Sequence, residues 1–581
     1  MRRALPAALL VLLLGAPGAF ASKPYVTSVA TPEEQAPTGY HEASGNSEVL
    51  TLGALRVTVH TGALKAPRGY TPVEVVLQNA GPVPVRARLF FQGMYGNGNR
   101  VTERTVEVAP RQRLVTWLHV PAVLQAGNLS VDVPGQPLQM QPVYLDDGRR
   151  GALLVLGTAK SFEALTGLPK TEEDQSPLFA ARFIDPKEAP RELSAYVGYP
   201  VVAVTEEALE LPADVWAVLE TYAATGGTLV LPRPPRDLRE RLPLLPAGGT
   251  PPESLYGFGL VHTCDSPVGC GTLLASAVSE DAEGPVKPMG PPPRWERGNA
   301  LRGGHPPLLS SARAPVGRFL LLIFAFALAV GPGALALSRR KGPVAVLVVV
   351  PLVSLVTCLA LVSWSVLVDG FAVHAARYSL TWLDSERSRA VTLGVGAWYA
   401  NLAPDPVKLP VTSALLAPDD TEDSQADLDW TEGLTVERGF LPARTYREWG
   451  EVAVLPSRAR LVLRGEGDAR RVQNALGARL EEGLVKVGGA HYRVPVLEDG
   501  AEAPLGELVV VEPDWLKLEQ SPIDRAGSRL LPRAVGFTAS LEDGGFLVRV
   551  GGVGPAPTAA VPVELEEGMH LVRGRVEEVR P

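Results

Sequence analysis

The stretch FLLLIFAFALAVGPGALALSRRKGPVAVLVVVPLVSLVTCLALVSWSVLV occupies residues 319–368. Its first part, 319–338, carries no charge and is long enough to cross bilayer hydrocarbon as a helix, which takes about 20 residues. Its second part, 343–368, is also uncharged. Between them stand Arg339, Arg340, Lys341 and Gly342, and so short a connection forces an antiparallel hairpin. Cytoplasmic loops carry the excess of Lys and Arg, so the turn 339–342 is expected in the cytoplasm. Arg339, Arg340 and Lys341 are thus the topology-determining residues. Neither span holds Asp, Glu, Lys, Arg or His, so no intramembrane proton relay or ion path is expected. Pro332 and Pro351 predict bends, Gly331 and Gly333 offer small packing surfaces, and Cys358 reads as a small apolar packing residue.

Working outward, the chain opens on Met1-Arg2-Arg3, an apolar run from Ala4 to Leu14, and Ala19-Phe20-Ala21. That is the order of a signal peptide over 1–21. Export of the first half requires residues 371–581 to end on the same side. The expectation is a two-pass protein of the inner (cytoplasmic) membrane, with large extracytoplasmic (periplasmic) domains. The whole chain has 581 residues, so several domains are expected. Its formal net charge of −8 argues against a nucleic-acid partner. Hydrophobic residues at 46% and charged residues at 20% exclude wholesale disorder. Three cysteines exclude a disulfide-dense scaffold.

Residues 22–46, rich in Pro, Ser, Gly and Glu, read as a linker. Leu55-Arg56-Val57-Thr58-Val59-His60 alternates, as does Val85-Arg86-Ala87-Arg88-Leu89-Phe90, and turn residues such as Asn79-Ala80-Gly81-Pro82 separate such runs. This predicts a β-sandwich over 47–145. From 150 to 279 the grammar is α/β. Ala152-Leu153-Leu154-Val155-Leu156 is a continuous apolar strand, as is Val201-Val202-Ala203-Val204. A helix follows Pro212, and Gly226-Gly227 ends it before Thr228-Leu229-Val230-Leu231. Residues 280–316 form a Pro-rich linker. Residues 371–581 read as β-rich, one or two sandwich-like modules with a boundary near 500–530 and one helix over 468–481. The fold class is a multidomain α+β membrane protein.

The run WAVLETYAATGGTLVLP (216–232) resembles an element of class I glutamine amidotransferase-like domains. AVGPGALALSRRKGP (329–343) resembles a span of a family of uncharacterised bacterial membrane-anchored proteins. In that family an exported sandwich and an extracytoplasmic amidotransferase-like domain precede a two-helix hairpin. The resemblance covers most of residues 50–480 in layout, at few specific positions. It implies a flavodoxin-like α/β domain and a membrane location, and no settled activity.

Amidotransferase chemistry needs a Cys on a strand-to-helix elbow and a His–Glu pair. Thr205 stands near the elbow position, but Val204-Thr205-Glu206-Glu207-Ala208 lacks the elbow glycines. No Cys and no His lies between 151 and 261, so the triad is absent and Glu206-Glu207 reads as a solvated helix start. Cys264 and Cys270, with five residues between them, are the disulfide candidate. A metal site with His262 lacks a clear fourth ligand. The acidic patch at Asp419–Asp423 and Asp427-Leu428-Asp429 fails the EF-hand pattern, because Ser424 and Trp430 stand where Gly and Glu belong. It reads as a solvated loop. No phosphate-binding loop is present.

No catalytic residue, metal or cofactor is therefore expected. The leading expectation is a non-enzymatic extracytoplasmic scaffold, or a subunit of an envelope complex, held in the lipid bilayer with membrane-protein partners. One alternative is an accessory subunit of an ABC-type transport or export system. Another is a hydrolase or ligand-binding protein that uses the carboxyl ends of the α/β strands.

Overall fold

The computed structural model describes residues 39–43, 45–67, 69–94, 101–146, 151–171, 177–205, 211–245, 253–264, 266–278, 308–309, 316–367, 372–404, 406–416, 427–509, 541–558 and 561–579. The signal-peptide reading, Glu206-Glu207, the acidic residues 419–423 and all of 510–540 lie outside them. The protein is mostly β, 47% strand and 20% helix, and multidomain.

The first sandwich opposes two sheets. One is antiparallel and has four strands, in the order Ser47–Leu52, Leu55–His60, Tyr70–Asn79 and Arg113–Pro121. Leu55, Val57 and Val59 face inward and their neighbours face out, as alternation requires when one face is wet. The opposing sheet has eight strands. Five come from before the apolar helices: Val101–Val108, Val85–Gly93, Ala126–Asp132, Gln139–Asp146 and Gly62–Leu64. The other three are Val407–Leu409, Leu434–Arg438 and Asp427–Asp429. Asp427–Asp429 runs parallel to Val101–Glu103 and joins the two halves of the chain in one ladder. Leu428, Trp430, Val436 and Phe440 enter the same core as Leu89, Phe91 and Val131.

This corrects two expectations. Residues after the helices are not a separate module throughout, since the strands Val407–Leu409, Asp427–Asp429 and Leu434–Arg438 complete the N-terminal sandwich. Asp427-Leu428-Asp429 is a strand rather than a solvated loop. Asp427 pairs with Arg438, and Asp429 caps the backbone of Thr431.

The α/β unit is a seven-stranded sheet. Its order is Tyr40–Glu42, Phe179–Ile184, Ala152–Leu156, Val201–Val204, Thr228–Leu231, Gly259–Thr263 and Glu253–Tyr256. Only the last is antiparallel. Tyr40–Glu42 was expected inside the 22–46 linker. The Tyr40 ring explains its place in the sheet: it is fully buried, edge-on to Phe162 and Phe183. The central strands are buried on both faces. Helices Ala159–Thr166 and Pro267–Val278 cover one face through Phe162 and Leu274. Helix Ala213–Ala224 covers the other through Val215, Trp216, Leu219 and Tyr222. At its end the chain needs glycine, because a Cβ on Gly227 would lie 2.2 Å from the Tyr222 ring.

The C-terminal sandwich pairs a second eight-stranded sheet with a four-stranded one. The large sheet is built on Val373–Asp384, Arg389–Ala400, Thr445–Pro456 and Glu564–Arg575. Its face carrying Tyr378, Leu380, Leu393 and Val395 shares one core with the face of the α/β unit that helix Ala213–Ala224 covers. The helix expected over 468–481 is instead the strand Arg471–Ala475, a turn through Gly477 and the start of Leu480–Val487. Leu308 and Leu309, expected within a linker, are buried, and the Leu308 N–H donates to the Tyr446 hydroxyl.

Two helices are long and apolar enough to cross a membrane, Leu320–Lys341 and Pro343–Leu361, with mean hydropathy 2.4 and 2.9. The first loosens to a π-helical turn at Ala329–Gly333 around Pro332, where the missing proline N–H breaks the regular ladder. Arg339, Arg340 and Lys341, expected in the connecting turn, occupy the last turn of the first helix. Cations are favourable at that end of the helix dipole. The reversal reduces to Gly342, at φ +86°.

Candidate functional site

The α/β strand order reverses at Ala152–Leu156, which has Phe179–Ile184 on one side and Val201–Val204 on the other. Ligands of open α/β sheets bind outside the carboxyl ends at such a point. Gly157, Thr158 and Thr205 stand there. The Thr158 hydroxyl caps the following helix, accepting from the Ser161 N–H at 3.2 Å. The Thr205 N–H donates to the Leu156 carbonyl at 3.0 Å. Its hydroxyl is buried with no hydrogen-bond partner among the described residues, and Glu206 lies outside them.

Cys264 and Cys270 form a disulfide that ties the end of strand Gly259–Thr263 to helix Pro267–Val278. Both sulfurs are thereby withdrawn from nucleophilic chemistry. His262 is mostly buried, and burial lowers its pKa despite the pull of Glu253. Among the described residues no cluster of His, Cys, Asp or Glu could hold a metal ion. Arg339, Arg340 and Lys341 are exposed, at the far end of the apolar hairpin from the folded units.

Three buried charge networks escaped the sequence reading, because each joins residues far apart in the chain. In the first, Glu192 of the α/β unit meets Arg104 and His119 of the first sandwich. Arg104 Nη2 donates to both Glu192 oxygens at 2.6 and 2.7 Å, and His119 Nε2 pairs with Oε2. Trp430, from beyond the helices, packs edge-on to His119 and donates through Nε1 to Thr102 Oγ1. Burial opposes ionisation of Glu192, yet His119 and Arg104 hold its carboxyl down to about 2. Burial pushes the His119 pKa down against the pull of Glu192, while Arg104 pairs with both carboxylate oxygens.

In the second network, Arg389 forks onto Glu220 at 2.6 and 2.7 Å and reaches Asp384 at 2.8 Å. The Tyr256 hydroxyl donates to the same Glu220. This fastens helix Ala213–Ala224 to the long strands of the C-terminal sheet. In the third, Arg377 pairs with Glu451, which also accepts from Thr558 Oγ1. Ser379 Oγ lies 2.7 Å from His570 Nδ1 close by. Each network fixes one unit against another or braces an interior; none is open to a substrate. The only trace in the sequence is charge or His inside otherwise apolar strands, as at His119 and Arg377.

No protein-family model and no curated protein matches the chain. Among solved structures it is similar to the cycloisomaltooligosaccharide glucanotransferase of Paenibacillus sp. The identity there is 11% and the TM-score 0.14, over 28% of this chain and 20% of that one. It is also similar to the exo-chitosanase CsxA of Amycolatopsis orientalis, at 10% identity and TM-score 0.13, over 90% of this chain and 79% of that one. The chain spans about a fifth of the first of these proteins. Likenesses this low carry no argument about fold or function.

Proposed function

We propose that the chain is a two-pass membrane scaffold that holds one braced body of sandwich and α/β units outside the cytoplasm, as a subunit of an envelope complex. The observation that carries this reading is the ladder between Val101–Glu103 and Asp427–Asp429. Strands hydrogen-bond only on one side of a bilayer, so the chain before the hairpin and the chain after it share a compartment. Two apolar helices supply the even number of crossings this requires. The basic residues at their junction favour the cytoplasm for the turn. The Cys264–Cys270 disulfide suits the oxidising side. Beyond the edge strand Tyr40–Glu42, the five parallel strands from Ala152 onward run 2-1-3-4-5 in order of appearance, which is flavodoxin-like and supports the amidotransferase-like reading of that unit. Buried charge networks at the seams favour a rigid support over a hinged enzyme.

Orientation is tested by single cysteines in a Cys358→Ala background, probed with an impermeant maleimide. Arg111→Cys is expected to react in spheroplasts, and Arg340→Cys only after permeabilisation. The reverse pattern would overturn the topology. The scaffold role is tested by crosslinking in the native membrane and gentle detergent purification. A reproducible set of co-purifying membrane proteins is expected; a solitary chain would remove the scaffold reading.

A further inference from the structure

The outer face of the four-stranded sheet carries a row of groups that no network above uses. Ser47 and His60 are cross-strand partners. The register Val59↔Val75 continues to place His60 opposite Glu74, and Glu74 stands opposite Trp117. The Thr61 N–H donates to the Asn46 carbonyl, so the next pair, Ser47 and His60, is a non-hydrogen-bonded one, whose side chains come closest. Ser47 Oγ is 2.9 Å from His60 Nδ1. His60 Nε2 is 3.7 Å from Glu74 Oε1. The far side of Glu74 faces Arg182 Nη2 at 4.0 Å. Arg182 is itself fixed: it donates to the Pro72 carbonyl at 3.0 Å and lies over the Trp117 ring. The row therefore runs hydroxyl, imidazole, carboxylate and anchoring guanidinium, across three adjacent strands and onto the α/β unit.

We propose that Ser47, His60 and Glu74 form a nucleophilic site that cleaves carboxylic esters. The roles follow from a nucleophile, a base and a group that orients the base. Ser47 Oγ adds to the ester carbonyl while His60 Nδ1 takes the hydroxyl proton. The carbon–oxygen bond to the alcohol breaks, and His60 returns that proton to the departing oxygen. Water then cleaves the acyl-Ser47 by the same transfers, releasing the acid and restoring the Ser47 hydroxyl. Glu74 is a positioning residue whose charge, 3.7 Å from Nε2, stabilises the imidazolium. Ser47 lies on the edge strand of its sheet, and in a non-hydrogen-bonded pair its N–H points off the open edge. That N–H is the nearest donor for the developing oxyanion. The site is exposed at Ser47 and partly exposed at His60 and Glu74. Its exposure leaves it reachable by esters of accessible alcohols.

The test uses the full chain in detergent micelles and a fluorophosphonate probe, with adducts mapped by mass spectrometry. One adduct is expected, on Ser47, and p-nitrophenyl acetate hydrolysis is expected to disappear in Ser47→Ala. The labelling rate is expected to fall by about 100-fold in His60→Gln, within the usual range for loss of a general base. It should fall in Glu74→Gln and recover in Glu74→Asp, which a merely structural carboxylate would not produce. The unmutated chain decides the matter without reference to variant folding. An adduct elsewhere, no adduct, or equal labelling rates in the parent and His60→Gln overturns the proposal.

Discussion

Arg377 is 1% exposed and Glu451 0%, and two charges this deep persist only because each satisfies the other. Removing one partner of such a pair costs about 3–5 kcal/mol, because the survivor is left buried and unpaired. Glu451→Ala is therefore expected to lower the unfolding midpoint of the C-terminal sandwich sharply, as read by thermal melts of the detergent-solubilised chain. His570 shares that interior. Burial, and then Arg377, push its pKa down to about 3 from an ordinary 6.5. Between those values the unfolded chain binds a proton that the folded chain refuses. Stability is thus intact above pH 6.5 and declines as pH falls towards 3, at about 1.4 kcal/mol per pH unit for one proton. Unfolding midpoints measured from pH 7 to pH 4 should show this acid limb, and His570→Gln should flatten it.

At the scale of single elements, the readable parts were those whose pattern allows one period. The run 152–156 is apolar throughout and 228–231 is apolar after Thr228, and both became central parallel strands. The helix after Pro212 was legible from its apolar side and its terminal glycines. The segment 468–481 was not. Val472, Ala475, Leu476 and Leu480 fit a helical stripe, but Val472 and Asn474 are the fully buried positions of a strand, in alternation. The Asn474 side chain satisfies the carbonyls of Ala478 and Leu497, a role that spacing does not reveal. Of the candidate sites, the Cys264–Cys270 pair was visible because its loop is local. Such a short loop is worth about 2 kcal/mol in the chain-entropy estimate. Cys264→Ser with Cys270→Ser is expected to destabilise the α/β unit by that order. Alkylation of the unfolded parent chain should count two more thiols after reduction than before.

For the molecule as a whole, what the sequence concealed was that the halves interleave. Nothing in Asp427-Leu428-Asp429 announces a partner at Val101, since pairing at that distance is decided by packing and not by local pattern. The same holds for Arg389 and Glu220, which couple the α/β unit to the C-terminal sheet. Glu220→Ala is expected to open the seam along helix 213–224 to protease while leaving both sandwiches resistant. Replacing residues 402–443 with a short turn is expected to do the opposite, exposing the strands of 85–146 and sparing 459–505. Limited proteolysis with mapped cut sites distinguishes the two. The interleaving also imposes a timetable on biosynthesis. Strand 101–108 emerges more than three hundred residues ahead of its neighbour at 427–429, with the two long apolar helices in between. Through that interval it presents an unpaired edge, the feature that recruits foreign strands, so the young chain depends on something else to occupy that edge until its own C-terminal half arrives.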